Sequence, residues 1–212
     1  MKRIKIKGEQ FILHPSGAVF WEDQNTLLLA DVHLGKVAHF RKNGIPVPRK
    51  VEGEFYQKIT PLLDCFKVKR LLFLGDLFHS YQNNEWHLFS AWVKQQTAEI
   101  ILIEGNHDVI PATEFEQLDI KVYDSLIEEG FYFSHFPSEK EPLFVFCGHV
   151  HPGVKLKGNG LAQLKLPCFF QSSKQLILPA FGAFTGLHLL SPKAEHQVYV
   201  TTGKEVMEIK GN

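Results

Sequence analysis

RLLFLGDLFHS, residues 70–80, joins a run of apolar residues to a glycine and an acid. Its apolar run from Leu71 to Leu74 is typical of a strand that is buried on both faces, as in a sheet covered by helices. Gly75 ends the run, and Asp76 follows at the carboxyl end of the predicted strand, where open α/β sheets place their sites. Taken alone, Asp76 is better explained as the cap of the next helix. Its role therefore depends on what the other strand ends carry.

The composition sets limits on the class of protein. With 212 residues, of which 44% are hydrophobic and 22% charged, we expect one globular domain spanning residues 1–212. The formal net charge is zero, which gives no overall field for nucleic acid. The three cysteines have no paired spacing, so neither a disulfide framework nor a thiolate zinc site is predicted. Signal-peptide and membrane-span patterns are absent, which predicts a cytoplasmic protein without membrane contact.

Strand and helix patterns alternate through the first half of the chain. The apolar runs, which we expect to be strands, lie at 26–30, 71–74 and 99–103. Between them lie helical patterns, at 34–43 and 51–66 after the first run and at 85–96 after the second. This alternation predicts βαβ units and parallel pairing. Beyond Pro111 the pattern changes to short strands, and we expect a mixed α/β sheet, or two sheets face to face, with antiparallel later strands. These strands are predicted at 120–123, 131–134, 143–147, 154–157, 164–170, 174–178, 197–201 and 204–209.

Five strand ends between residues 31 and 151 carry residue types that bind metals. They are Asp31 and His33; Asp76; Asn106, His107 and Asp108; His135; and His149 and His151. Each has an ordinary explanation as a turn or cap, but five independent occurrences favour a site. Imidazole with carboxylate and amide oxygen suits Mn²⁺, Fe²⁺ or Zn²⁺. Two such ions, roughly 3.5–4 Å apart, can generate hydroxide and stabilise both oxygens of an in-line displacement.

Five motifs resemble the full signature of the calcineurin-like metallophosphoesterases. They are DVH (31–33), GD (75–76), GNHD (105–108), SH (134–135) and GHVH (148–151). The resemblance implies a metallophosphoesterase-type layered α/β/α sandwich with a mixed β-sheet core. It also implies two divalent metal ions, with Mn²⁺ expected and Fe²⁺ or Zn²⁺ as alternatives. Asp31, His33, Asp76 and His151 would hold one ion; Asp76, Asn106, His135 and His149 would hold the other, with Asp76 as the bridge. His107 would be the general acid, and Asp108 would orient its imidazole.

Two longer stretches resemble the bacterial DNA-ligase-associated phosphoesterases: ADVHLGKVAHFRKNGIPVP (30–48) and LPAFGAFTGL (178–187). This resemblance implies a DNA-repair-associated phosphodiesterase or nuclease that uses a dinuclear-metal-activated hydroxide, with a DNA ligase and a helicase as partners. Two alternatives stay open. One is a small-molecule nucleotide phosphodiesterase or pyrophosphatase, which agrees with the zero net charge. The other is a metal-bearing interaction module that docks on the ligase or helicase.

Three further residues are candidate substrate contacts. His79 either reaches the site from the segment after Asp76 or lies outside it. Arg41 belongs to a basic cluster that either grips phosphates or forms a solvated helix face. His188 is a candidate for the cleft wall behind the loop PAFGAFTG (179–186), whose Phe181 and Phe184 either stack a base or pack against the sheet. The basic cluster comprises Lys36, Arg41, Lys42, Arg49 and Lys50.

Overall fold

The computed structural model describes residues 1–36, 53–79, 84–157, 163–183 and 185–210. Within these residues a first sheet has seven strands that follow one another in chain order. They are β1 (Lys2–Ile6), β2 (Glu9–Leu13), β3 (Val19–Trp21), β4 (Thr26–Leu29), β5 (Arg70–Leu74), β6 (Glu99–Ile103) and β7 (Lys121–Tyr123). Strands β1 to β4 pair antiparallel, and β4 to β7 pair parallel. The parallel pairing brings the carboxyl ends of β4, β5 and β6 to one edge of the sheet.

Helices cover one face of this sheet. In the described ranges they are α1 (Glu54–Phe66), α2 (Asn84–Val93) and α3 (Ala112–Glu116). Helix α1 buries Phe55, Ile59 and Leu62, which lie on one side of the helix at steps of four and three residues. The predicted helices at 51–66 and 85–96 are confirmed, and Pro61 lies inside α1 without ending it. The predicted helix at 34–43 falls mostly outside the described residues, and α3 was missed because it is only five residues long.

The second sheet, as described, has nine strands. They are β8 (Ser125–Glu128), β9 (Phe131–Ser134), β10 (Phe144–Cys147), β11 (Pro152–Lys157), β12 (Gln163–Gln171), β13 (Gln175–Ile177), β14 (His188–Leu189), β15 (Gln197–Thr201) and β16 (Val206–Lys210). The predicted strand positions are confirmed to within two residues, whereas β8 and β14 were not predicted. The expectation of antiparallel later strands is wrong for β9, β10 and β13, which pair parallel, and for β11 with β14. Pairing direction is set by tertiary contacts that short apolar runs do not encode.

The two sheets face each other across an aromatic core. Phe11 and Trp21 of the first sheet meet Phe131 and Phe146 of the second, with ring centroids 4.9 Å apart for Phe11 and Phe146 and 5.2 Å apart for Trp21 and Phe131. Strand β5 is buried on both faces, as its apolar run predicts, because alternate residues contact the helices and the second sheet. The mixed sheet core and the α/β class are therefore confirmed. No helix of the described chain combines the length and apolar character that crossing a membrane requires.

Truncating the aromatic core tests this packing. Phe146 is fully buried and contacts three other phenylalanine rings besides Phe11. Because Phe146→Ala leaves a cavity between the sheets, we expect it to lower the free energy of unfolding by about 3–5 kcal/mol in urea denaturation. Leu88→Ala, at a position on α2 that is 54% exposed, is the matched control and should change it by about 0.5 kcal/mol or less. Similar small losses in both variants would contradict the inter-sheet core.

Candidate metal centre

The loops after β4 and β5 run side by side and carry two buried carboxylates. The His33 amide donates to the Asp76 carbonyl over 2.8 Å, and Leu34 and Phe78 continue the parallel pairing as an isolated bridge. Asp31 and Asp76 consequently lie next to each other and are only 0% and 2% exposed. Residues 76–79 form no helix, so the helix-cap explanation for Asp76 does not fit.

The backbone at this edge adopts an unusual conformation. Asp31, His33 and Asp76 each have a φ of 52°, and His149 and His151 have φ values of 68° and 50°. Residues other than glycine seldom adopt this left-handed region, although Asp and His are over-represented there. Five such residues in contact indicate that the surrounding structure holds the side chains in imposed directions, which is typical of functional sites.

Three side chains form what we call the first ligand group: Asp31, His33 and His151. The Nε2 atoms of His33 and His151 are 3.4 Å apart, and His151 Nε2 is 3.5 Å from Asp31 Oδ1. His151 Nδ1 donates to the carbonyl of Thr185 over 2.9 Å, and because a carbonyl can only accept, this contact leaves Nε2 as the lone-pair nitrogen.

The second ligand group consists of Asn106, His135 and His149. His135 Nδ1 donates to the Leu74 carbonyl over 3.0 Å, so the lone pair of this ring is on Nε2. That Nε2 is 3.0 Å from Asn106 Oδ1 and 3.1 Å from His149 Nδ1. The side chains predicted to hold the second ion are thus brought together, from β6, β9 and β10.

Asp76 lies between the two ligand groups. Its Oδ2 is 3.7 Å from His33 Nε2, and its Oδ1 is 3.4 Å from His135 Nε2. Asp31 also approaches His135, at 3.9 Å, but it does so on the Nδ1 side that already donates to Leu74. Of the two carboxylates, Asp76 is therefore the one whose oxygens face a ring nitrogen of the first group and the lone-pair nitrogen of His135.

The donor atoms fit a divalent cation. Two sets, Asp31 with His33 and His151, and Asp31 with Asp76 and His135, each have their ligand atoms within 4.8 Å of one another. The facing imidazole nitrogens lie only 3.1–3.4 Å apart, His33 Nε2 with His151 Nε2 and His149 Nδ1 with His135 Nε2, so the donor atoms converge as a cation site requires. Mixed nitrogen and oxygen donors suit first-row transition ions better than Mg²⁺ or Ca²⁺.

Burial favours the neutral, metal-binding form of two of the imidazoles, those of His33 and His149. It lowers the pKa of His33 to about 2, assisted by the nearby positive charge of Lys36, and it also lowers the pKa of His149. Burial also acts to lower the pKa of His151. There the hydrogen bond to Asp31 and the charge of Asp31 outweigh burial, and the pKa of the ring is raised. Lys36 is half-buried opposite both carboxylates, and burial lowers the pKa of its amine.

Asp108 connects two loops of the site. Its Oδ2 accepts from the amides of Asp76 and Gly105, both over 2.9 Å, and its Oδ1 accepts from the Phe78 amide over 3.0 Å. Burial raises the pKa of the carboxyl to about 6, against the effect of these hydrogen bonds. Among the described contacts none joins Asp108 to the His107 imidazole, so its role in orienting that ring stays a prediction without direct support.

His107 and His79 lie beside the first ligand group. The His107 amide donates to Asp76 Oδ1 over 2.9 Å while its imidazole is exposed. The His107 ring centroid is 5.6 Å from that of His33 and 5.2 Å from that of His79, which is itself 5.5 Å from His33. The His79 ring therefore lies against the rings of His33 and His107, and its contact with substrate stays a prediction.

The other candidate contacts have different outcomes. Arg41 and Phe184 lie outside the described residues. Phe181 is 1% exposed and packs on Phe55 with ring centroids 6.1 Å apart, so its use as a stacking surface for a base is wrong and the packing alternative holds. His188 touches the site through its backbone, since its amide donates to the His151 carbonyl over 3.0 Å while its side chain is exposed.

Three glycines were missed as parts of the site. A Cβ at Gly105 would lie 2.4 Å from Asp76 Oδ1, one at Gly148 would lie 2.6 Å from Asp31 Oδ2, and one at Gly182 would lie 2.1 Å from the Val32 carbonyl. Any side chain there would displace a ligand or its loop. The sequence offered a sign for two of them, since Gly105 directly precedes the predicted ligand Asn106 and Gly148 directly precedes His149.

Comparison with known proteins places this geometry among metal-dependent hydrolases. Residues 25–171 match the family model for calcineurin-like phosphoesterase. The crystal structure of the nuclease MPE from Pseudomonas putida superposes with a TM-score of 0.83 at 29% identity, covering 98% of this chain and 99% of that chain. A protein of unknown function, AQ665 from Aquifex aeolicus, has a TM-score of 0.43 at 20% identity over 65% of this chain and 82% of its own. The E. coli phosphoesterase Yfce has a TM-score of 0.43 at 12% identity over 88% and 99%. No curated protein matches the sequence.

Metal stoichiometry tests the position of Asp76. Because Asp76 faces both ligand groups, Asp76→Asn should weaken both metal sites by at least about ten-fold, the lower end of what even indirect ligand partners contribute. Asp31→Asn should weaken mainly the first ligand group. Bound metal is measured by elemental analysis after gel filtration, and Asp64→Asn on the exposed side of α1 is the matched control. Equal, modest losses from both variants would mean that the bridge has been misplaced.

Proposed function

This chain belongs to the calcineurin-like phosphoesterase family, and from that premise we propose that it hydrolyses phosphodiester bonds of nucleic acid with two divalent ions. Mn²⁺ is the proposed ion, with Fe²⁺ or Zn²⁺ as alternatives. The membership makes the chain a phosphoester hydrolase. The DNA substrate, the dinuclear mechanism and the identity of the metal are the parts that we add.

The position of Asp76 carries the dinuclear proposal. One carboxylate whose two oxygens face His33 and His135 separately can serve two neighbouring ions, and the seven predicted ligands converge from the facing edges of the two sheets. A pair of divalent ions supplies Lewis acidity and activates water at neutral pH. The protein contributes the fixed direction of each donor, through the Leu74 and Thr185 carbonyls and the left-handed backbone.

His107 is the proposed proton donor to the leaving oxygen. Its ring is exposed at the mouth of the site, while its backbone is bound to Asp76, so the imidazole can meet a substrate without moving the ligands. Asp108 acts through the backbone, because its carboxylate joins the loop of His107 to the loop of Asp76. His79 lies against the His107 ring, and contact with the same phosphate is its proposed role.

Two observations support nucleic acid as the substrate. The likeness to the Pseudomonas putida nuclease extends over almost the whole of both chains, and the sequence also resembles the DNA-ligase-associated phosphoesterases. A cytoplasmic DNA-repair role beside a DNA ligase and a helicase is the corresponding biological proposal. The zero net charge favours a second candidate, a small-molecule nucleotide phosphodiesterase or pyrophosphatase. A metal-bearing interaction module without activity has less support, since a residue that can bind metal stands at every ligand position of the motifs.

Removing the proposed acid should separate chemistry from metal binding. In Mn²⁺-loaded protein, we expect His107→Ala to retain its metal and to lower turnover of bis(p-nitrophenyl) phosphate by about 10²–10⁴-fold, the usual contribution of a general acid. His87→Ala, at an exposed histidine on α2, is the control and should behave as wild type. Wild-type turnover by His107→Ala would remove His107 as the acid.

A substrate panel decides between the two candidate functions. If nucleic acid is the substrate, Mn²⁺-loaded protein should cleave single-stranded or nicked DNA, and the rate should fall as salt is raised because phosphate contacts release counterions. Parallel assays on mononucleotide mono- and diesters provide the comparison. Activity that is independent of salt and confined to the mononucleotide esters would favour the small-molecule candidate.

A further inference from the structure

An open groove of about 440 Å³ begins at the second ligand group. Asn106 and His135 form one end of it, and Phe136, Ser138 and Lys140 lie along its wall. Its volume falls in the range of ligand pockets, roughly 300–1,000 Å³. We call it the Phe136 groove. Of the candidate substrate contacts that the structure describes, neither His79 nor His188 lines it.

Phe136 presents an aromatic face directly beside the metal ligands. Its side chain is one of the large exposed hydrophobic groups, with 48% of the residue accessible. The ring centroid is only 4.6 Å from that of His149 and 4.8 Å from that of His135. The Ser134 hydroxyl donates to the Phe136 carbonyl over 2.8 Å, which fixes the backbone that carries the ring. A planar ligand group next to the ligand atoms would therefore meet a positioned aromatic surface.

The charges of the groove do not suit a phosphate. Glu104 and Asp124 contribute carboxylates to its lining, and Lys140 is the cation among its described lining residues. The Lys140 amine lies 5.3 Å from the centroid of the Tyr132 ring, in cation–π contact. A neutral planar group that carries hydrogen-bond donors and acceptors fits this mixture better than a second anion does.

Ser138 supplies a polar contact for such a group. Its hydroxyl oxygen is buried and has no hydrogen-bond partner within the described structure. A buried polar atom without a partner is costly, so the Ser138 hydroxyl has unused hydrogen-bonding capacity in the wall of the groove. The hydroxyl can both donate and accept, so it can bond to the edge of any nucleobase.

We propose that the Phe136 groove binds the nucleobase of the nucleotide whose phosphate lies at the metal centre, with the base stacked on Phe136. The inference rests on the proposed function, because that function places a phosphate against His135 and His149. It goes further by assigning a base subsite to the side of the second ligand group. Stacking accepts every base, so the subsite would select nucleotides over other phosphoesters without reading sequence.

Binding of two ligands that differ only in the base tests the proposal. The ligands are the phosphonate analogues of thymidine 5′-monophosphate and of deoxyribose 5-phosphate, which lack the scissile ester bond, titrated into Mn²⁺-loaded protein by calorimetry. Wild type should bind the nucleotide analogue about 5- to 150-fold more tightly, the range of one base–aromatic stack. Phe136→Ala should bring this ratio close to one, Phe136→Trp should keep it, and Leu88→Ala should leave it unchanged.

The outcomes separate this inference from the proposed function. A wild-type ratio near one, or an unchanged ratio in Phe136→Ala, would overturn the base subsite. Parallel weakening of both ligands in Phe136→Ala would also overturn it, because Phe136 would then act only by supporting His135 and His149. The calorimetry measures binding without turnover. Failure of the protein to cleave DNA would therefore contradict the nuclease proposal alone, while the ratio of the two binding affinities would still decide the base subsite.

Discussion

Two carboxylates buried side by side, Asp31 and Asp76, are the constraint on which the rest of the structure depends. Burying a charged group costs several kcal/mol unless it is hydrogen-bonded and paired. The Asp31 carboxylate accepts from the His149 amide over 2.9 Å, and the Asp76 carboxylate accepts from the His107 amide over 2.9 Å. Each acid is thus bound to a loop from a different strand. The imidazoles around the two carboxylates complete a set of ligand atoms that suits cations.

The architecture of the two sheets makes this convergence possible. Parallel pairing of β4, β5 and β6 delivers the acids and Asn106 to one edge. Parallel pairing of β9 and β10 delivers His135 and His149 to the facing edge of the second sheet. The aromatic core between the sheets keeps these edges in register, so that backbone carbonyls such as that of Leu74 can orient histidines contributed by the other sheet. The strand pairings that build the two sheets therefore also bring the ligands of the site together.

The sequence was most informative where the residue type itself carries the chemistry. Buried strands leave uninterrupted apolar runs, so the acids and histidines that follow those runs could be placed at the sheet edge. Partners that act through the backbone leave no such trace, which is why the Leu74 and Thr185 carbonyls were not foreseen. Phe181 could not be assigned, because a loop has no periodicity to show which side is buried. Asp108 was given a side-chain partner, whereas its described bonds go to amides.

The central claim is that Asp76 bridges two ions held by two histidine groups. The most direct measurement is anomalous X-ray diffraction from Mn²⁺-loaded crystals, collected on both sides of the manganese absorption edge. If Asp76 is the bridge, the map should show two peaks roughly 3.5–4 Å apart, one against His33 and His151 and one against His135 and His149, with an Asp76 oxygen in contact with each. A single peak, or two peaks bridged by Asp31 with Asp76 bound to only one of them, would contradict it.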